Sequence, residues 1–176
     1  IDGLEWKRQK WNKYAKWFLK FSEKMAVKYA DVVITDNKVI QEHVKNAYGK
    51  ESKLIAYGAD HVERMSLSTE ILKQYPFLSE QYAFTVCRIE PENNLHVIIE
   101  AMAQQDELPL VIIGNWENSE YGRELRVKYV ELEHIHLFDP IYDQNILDQI
   151  RSNCTVYLHG HSAGGTNPSL VEAMYL

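Results

Sequence analysis

The sequence predicts an α/β protein built on a doubly wound parallel sheet. From residue 82 onward, short apolar strand-like runs alternate with stretches of helical period. The last run leads through a glycine loop into a helix start, Tyr157-Leu-His-Gly-His-Ser-Ala-Gly-Gly-Thr-Asn-Pro-Ser-Leu-Val-Glu-Ala-Met174. Regular strand–helix alternation argues for a parallel sheet covered on both faces, with ligands beyond the carboxyl ends of its strands.

In chain order, Trp11, Tyr14, Ala15, Phe18, Met25, Ala26 and Tyr29 recur at helical spacing and predict an apolar helix face. Residues 31–35 read as a strand, 38–47 as a helix and 53–57 as a strand. Gly58-Ala-Asp60 turns into a more polar stretch, through about residue 80, that reads as a domain boundary. Strands then follow at 82–87, 109–114, 134–138 and 155–158, with helices at 95–104, 121–131, 144–151 and from Pro168 onward. No internal repeat or low-complexity segment interrupts this order.

The chain has 176 residues, 45% apolar and 25% charged, which suits one ordinary domain or pieces of two. No apolar run is long enough to cross a bilayer. The start at Ile1 and the stop at Leu176 within an apparent helix read as a fragment. Cys87 and Cys154 sit in or beside strand runs, as structural thiols of a reducing cytoplasm do.

The net charge of −6 is unevenly spread: Lys7 to Lys28 holds eight basic residues and one acid, net +7, against −13 elsewhere. Lys13, Lys16, Lys20 and Lys24 fall together on one side of the first helix. That side is either a solvated basic face or a contact for anionic lipid headgroups or a lipid diphosphate.

The closing tract carries the chemistry. Thr166 or Asn167 can cap a helix and Pro168 suits its first position, so free N–H groups face the Gly164-Gly165 loop. A helix N-terminus behind such a loop suits phosphate. Glu172, one turn on, is placed to accept hydrogen bonds from a sugar diol. Phosphate and sugar together suggest a nucleotide-sugar site. Arg88, at the carboxyl end of strand 82–87, can fork onto a diphosphate or pair with Glu90 or Glu92. Asn115 follows strand 109–114 on the same rim.

Rival readings remain. Gly160-His-Ser162-Ala-Gly164 also satisfies the nucleophile elbow of α/β hydrolases, with Ser162 as nucleophile. Pro168, six residues on, argues against a helix starting at that serine. His159 and His161 have ligand spacing for a metal, but no third ligand is evident and none is expected. Asp-x-Asp, a metal-carboxylate signature, is absent from the sequence.

Arg88-Ile-Glu-Pro-Glu-Asn-Asn-Leu95, Val111-Ile-Ile-Gly-Asn115 and the tract from Gly164 to Met174 resemble glycosyltransferase family four. Asp2-Gly-Leu-Glu-Trp-Lys-Arg8 and Tyr57-Gly-Ala-Asp60 narrow the resemblance to its bacterial rhamnosyltransferase-like branch. It implies a GT-B fold, with two Rossmann-like domains facing each other across a cleft. Residues 1–60 then end the acceptor-side domain, 61–80 form a linker, and 81–176 begin the donor domain.

The resemblance assigns Arg88 and Glu172 to catalysis. It assigns Arg88, Asn93, Asn115, Gly164, Gly165, Thr166, Asn167 and Glu172 to donor binding. Asn93 stands where the family usually has a lysine, and Gly164 where it has the first of two glutamates. Asp2, Glu5 and Arg8 fall on the acceptor side, with helix capping and surface ion pairing as the plainer reading.

The implied reaction is retaining, metal-independent transfer of L-rhamnose from dTDP-L-rhamnose to a lipid-linked saccharide, in bacterial surface polysaccharide synthesis. It takes place in the cytoplasm or at the inner face of the plasma membrane, without cofactor or nucleic acid. The alternatives are a UDP-sugar donor, the Ser162 hydrolase, and a nucleotide-binding module without catalysis. On this reading the chain alone transfers no sugar.

Overall fold

The computed structural model describes residues 3–8, 11–162 and 165–176. The chain divides into two compact units, Ile1–Gly58 with Ala163–Pro168, and Ala59–Ser162 with Ser169–Leu176.

In the first unit, helix α1 spans Lys13–Tyr29, and Asn12 caps it by accepting from Ala15 N at 2.9 Å. Strand β1 (Ile34–Thr35) pairs in parallel with β2 (Lys53–Leu54) around helix α2, Lys38–Tyr48. Asn37 caps α2, and Gly49, at φ 64°, ends it in the left-handed conformation that favours glycine. Val27, Val33 and Val44 form the core. Beside it, the Glu23 carboxylate accepts from Trp6 Nε1 at 3.1 Å and Tyr48 Oη at 2.6 Å, and lies 2.8 Å from His43 Nε2.

The α1 face differs from the sequence expectation. Tyr14, Phe18 and Tyr29 are exposed in this chain, with Trp17 and Phe21 stacked beside them. The side turned inward instead carries Val27 and the Glu23 hub. Periodicity located the helix but not the face that packs within this chain.

The second unit carries a four-stranded parallel sheet in the order β5-β4-β3-β6. Its strands are β3 (Ala83–Val86), β4 (Leu110–Ile113), β5 (Ile135–Phe138) and β6 (Val156–Tyr157). Its helices are α3 (Thr69–Gln74), α4 (Leu95–Met102), α5 (Glu120–Tyr129), α6 (Gln144–Ser152) and α7 (Pro168–Tyr175).

Alternate residues of β4 enter two different cores. Leu110 and Ile112 join Leu95 and Ile99 of α4 and Leu125 of α5, while Val111 and Ile113 join Ile71 of α3 and Ile150 of α6. Both faces of the strand are thus covered, which accounts for its uninterrupted apolar run.

The stretch read as a linker is ordered and partly helical. Ser68 caps α3, a helix that composition did not signal. Upstream of it, Glu63 N donates to Asp148 Oδ2 at 3.0 Å and Ser68 N to Gln149 Oε1 at 2.7 Å, tying residues 63–68 to α6.

Candidate functional site

The strand order creates a switch point. The chain runs from β3 outward to β4 and β5, then returns to place β6 on the other side of β3. In open α/β sheets the carboxyl ends of the strands at such a point are where ligands bind, and here these are the loops after β3 and β6.

Arg88 stands two residues beyond β3, exposed. Its guanidinium makes no hydrogen bond or ion pair among the described residues, so neither Glu90 nor Glu92 holds it. Val86 pairs in register with Ile113, which puts Asn115 two residues beyond β4 on the same rim, also exposed.

Asn93 is buried and its amide is already committed. Its Nδ2 donates to Arg88 O at 2.6 Å, while Oδ1 lies 2.8 Å from His161 Nδ1 in the loop after β6. Asn94 Nδ2 donates to Gly160 O at 2.7 Å, and Ser162 donates to Glu92 O from both N and Oγ at 2.9 Å. A Cβ on Gly160 would press into Asn93 O, so only glycine permits this approach. Asn93 thus serves here to fix the backbone beneath Arg88.

The same bonds bear on the hydrolase reading. Ser162 Oγ is spent on a backbone carbonyl, and no histidine bonds it among the described residues. Helix α7 begins at Pro168 rather than at the serine. The arrangement lacks the serine–base pair that acyl transfer needs.

Glu172, in α7, is mostly buried and doubly engaged. Its Oε2 lies 2.7 Å from Arg151 Nη2 and its Oε1 2.9 Å from His61 Nε2. Arg151, in α6, also reaches Asp148 Oδ1 at 3.4 Å. The sequence reading missed both Arg151 and His61. A lone arginine beside Ile146, Leu147 and Ile150 was the available signal for the first.

In the first unit, Thr166 N donates to Asp36 Oδ2 at 2.8 Å, and Asn37 Nδ2 reaches Thr166 Oγ1 at 3.5 Å. The Thr166 amide, expected to face a ligand phosphate, is held here by a carboxylate of its own unit. Gly165 and Asn167 are half-buried beside it, whereas Gly164 and Asp2 lie outside the described residues. Arg8 is buried and pairs with Glu5 at 3.4 Å, and Glu5 Oε1 also accepts from Trp11 Nε1 at 3.0 Å.

Among the described residues, no three His, Cys, Asp or Glu side chains gather as a metal site. Burial pushes the Cys87 thiol up to about 12, so it stays protonated and unreactive at neutral pH.

No curated protein matches the chain. Among solved structures, it is similar to Anabaena HepE in complex with UDP and glucose. The TM-score is 0.70 at 18% identity, over 88% of this chain and 45% of that one. It is also similar to TarM, with a TM-score of 0.66 at 14% identity over 99% of this chain and 33% of that one. The chain therefore spans less than half the length of either, and likeness at this identity speaks for the α/β, GT-B type of fold. Residues 1–60 match a domain of unknown function, DUF1972. Residues 68–176, more than half of the chain, match the model for glycosyl transferases group 1. The chain belongs to the glycosyl transferases group 1 family.

Proposed function

We propose that the protein carrying this chain transfers a sugar from a nucleoside diphosphate donor to a lipid-linked saccharide, with retention and without a metal. The observation that carries this reading is Arg88: an exposed guanidinium without a partner among the described residues, at the switch point of a group 1 glycosyltransferase sheet. There it takes the charge that develops on the departing diphosphate, through charge-assisted hydrogen bonds to its oxygens. Glu172 accepts hydrogen bonds from the nucleoside hydroxyls. The acceptor attacks on the face that the diphosphate leaves, so no protein nucleophile is required.

The rhamnosyltransferase-like motifs favour dTDP-L-rhamnose as donor. The UDP and glucose bound by HepE favour a UDP-hexose as the second reading. Lys13, Lys16, Lys20 and Lys24 lie on α1 beside exposed Trp17 and Phe21, a combination suited to the anionic inner face of a plasma membrane. No helix among the described residues is long and apolar enough to cross it.

Transfer assays on the full-length protein, with each radiolabelled donor and a membrane lipid extract as acceptor, test this reading. Sugar incorporation that survives EDTA is the expected result. Labelled lipid from dTDP-L-rhamnose supports the first donor and from UDP-glucose the second. No transfer from either, or loss with EDTA, contradicts the proposal.

A further inference from the structure

Arg151 is the most deeply buried cation of the second unit, with its side chain 1% exposed. Its Nε finds no acceptor. A buried guanidinium left this way is costly, and a pair built for stability alone is often replaceable by apolar packing. Asp148 is its nearer neighbour in sequence but binds it loosely at 3.4 Å, because its oxygens also serve Glu63 N at 3.0 Å and Gln144 Nε2 at 2.7 Å. The closer ion pair is with Glu172 Oε2, at 2.7 Å.

The two oxygens of Glu172 thus face different surroundings. Oε2 is anchored inward on Arg151, while Oε1 meets His61, whose side chain is 55% exposed. An anchored carboxylate with one oxygen toward an exposed, replaceable partner is oriented before any ligand arrives. Such preorganisation reduces the ordering cost of binding.

We propose that Arg151 is a positioning residue that fixes Glu172 so that Oε1 accepts from a nucleoside sugar hydroxyl, which displaces His61. This rests on the reading of Glu172 as a donor contact. Arg151 itself touches no substrate.

The test compares UDP and dTDP, each against its 2′,3′-dideoxy analogue, by calorimetry on the full-length protein. The wild type is expected to prefer the hydroxylated nucleotide by about tenfold, the worth of one hydrogen bond to a charged group. Glu172→Gln and Arg151→Lys each bring that ratio toward one and leave the affinity for the dideoxy analogue little changed. A purely structural Arg151 would weaken both nucleotides together and leave the ratio intact. If Glu172→Gln lowers the ratio and a folded Arg151→Lys does not, the inference is overturned and the Glu172 reading survives. A ratio that Glu172→Gln leaves unmoved removes that reading and the inference with it.

Should Arg151→Lys fail to fold, the wild-type protein supplies the answer by nitrogen-15 NMR of its arginine side chains. Arg151 signals that move with UDP or dTDP but not with the dideoxy analogues support positioning. Indifference to all four overturns it.

Discussion

Asn93 Oδ1 lies 2.8 Å from His161 Nδ1, and the same amide donates through Nδ2 to Arg88 O at 2.6 Å. One buried side chain therefore joins the loops that follow β3 and β6 at the sheet's switch point. Replacing it with alanine removes the tie between these loops, including one of the two hydrogen bonds that Arg88 O accepts, the other coming from Glu90 N at 2.9 Å. Asn93→Ala is expected to cost about 1–3 kcal/mol in urea unfolding. It also weakens nucleoside diphosphate binding, because the backbone beneath Arg88 loosens.

Gly160 packs so closely on Asn93 O that any Cβ displaces one strand end from the other. Gly160→Ala should destabilise the fold by about 1–3 kcal/mol, as overpacking does. A urea midpoint equal to the wild type would show that the loop yields freely.

Two histidines make the fold acid-sensitive. Burial lowers His136, with the neighbouring His134 adding to the effect, and burial lowers His159 beside His161. As pH falls below about 6.5, the unfolded chain takes up protons that the folded one does not, so stability declines. Unfolding followed from pH 7 to 5 should show this loss. His136→Phe, which keeps the stack on Phe77, should make the decline shallower.

The α1 lysines have a separate readout. Changing Lys13, Lys16, Lys20 and Lys24 to glutamine should weaken binding to phosphatidylglycerol vesicles by about 1 kcal/mol per lysine. Lys20 contributes least, since its ammonium already lies 4.3 Å over the Trp6 ring. Unchanged co-sedimentation would remove the membrane role.

The sheet was legible because its strands are mainly apolar, β4 throughout, the pattern that burial on both faces imposes on that strand. The place of Arg88 just beyond β3 was legible too, since the strand's end fixes where the following residues emerge. The Asn93 and Asn94 lacing was not, because it joins residues more than 60 positions apart that share no local pattern. Arg151 looked like an ordinary basic helix end, and only the fold brings it to Glu172. On α1 the period was clear, but a period alone does not say which face is covered.

The most direct measurement is saturation-transfer NMR on the full-length protein with UDP, dTDP and GDP, before and after Arg88→Ala. Binding of UDP or dTDP that falls about tenfold or more on that substitution, the worth of a charged phosphate contact, is the result expected. Absence of nucleotide binding, or binding indifferent to Arg88, would contradict a donor site at this switch point.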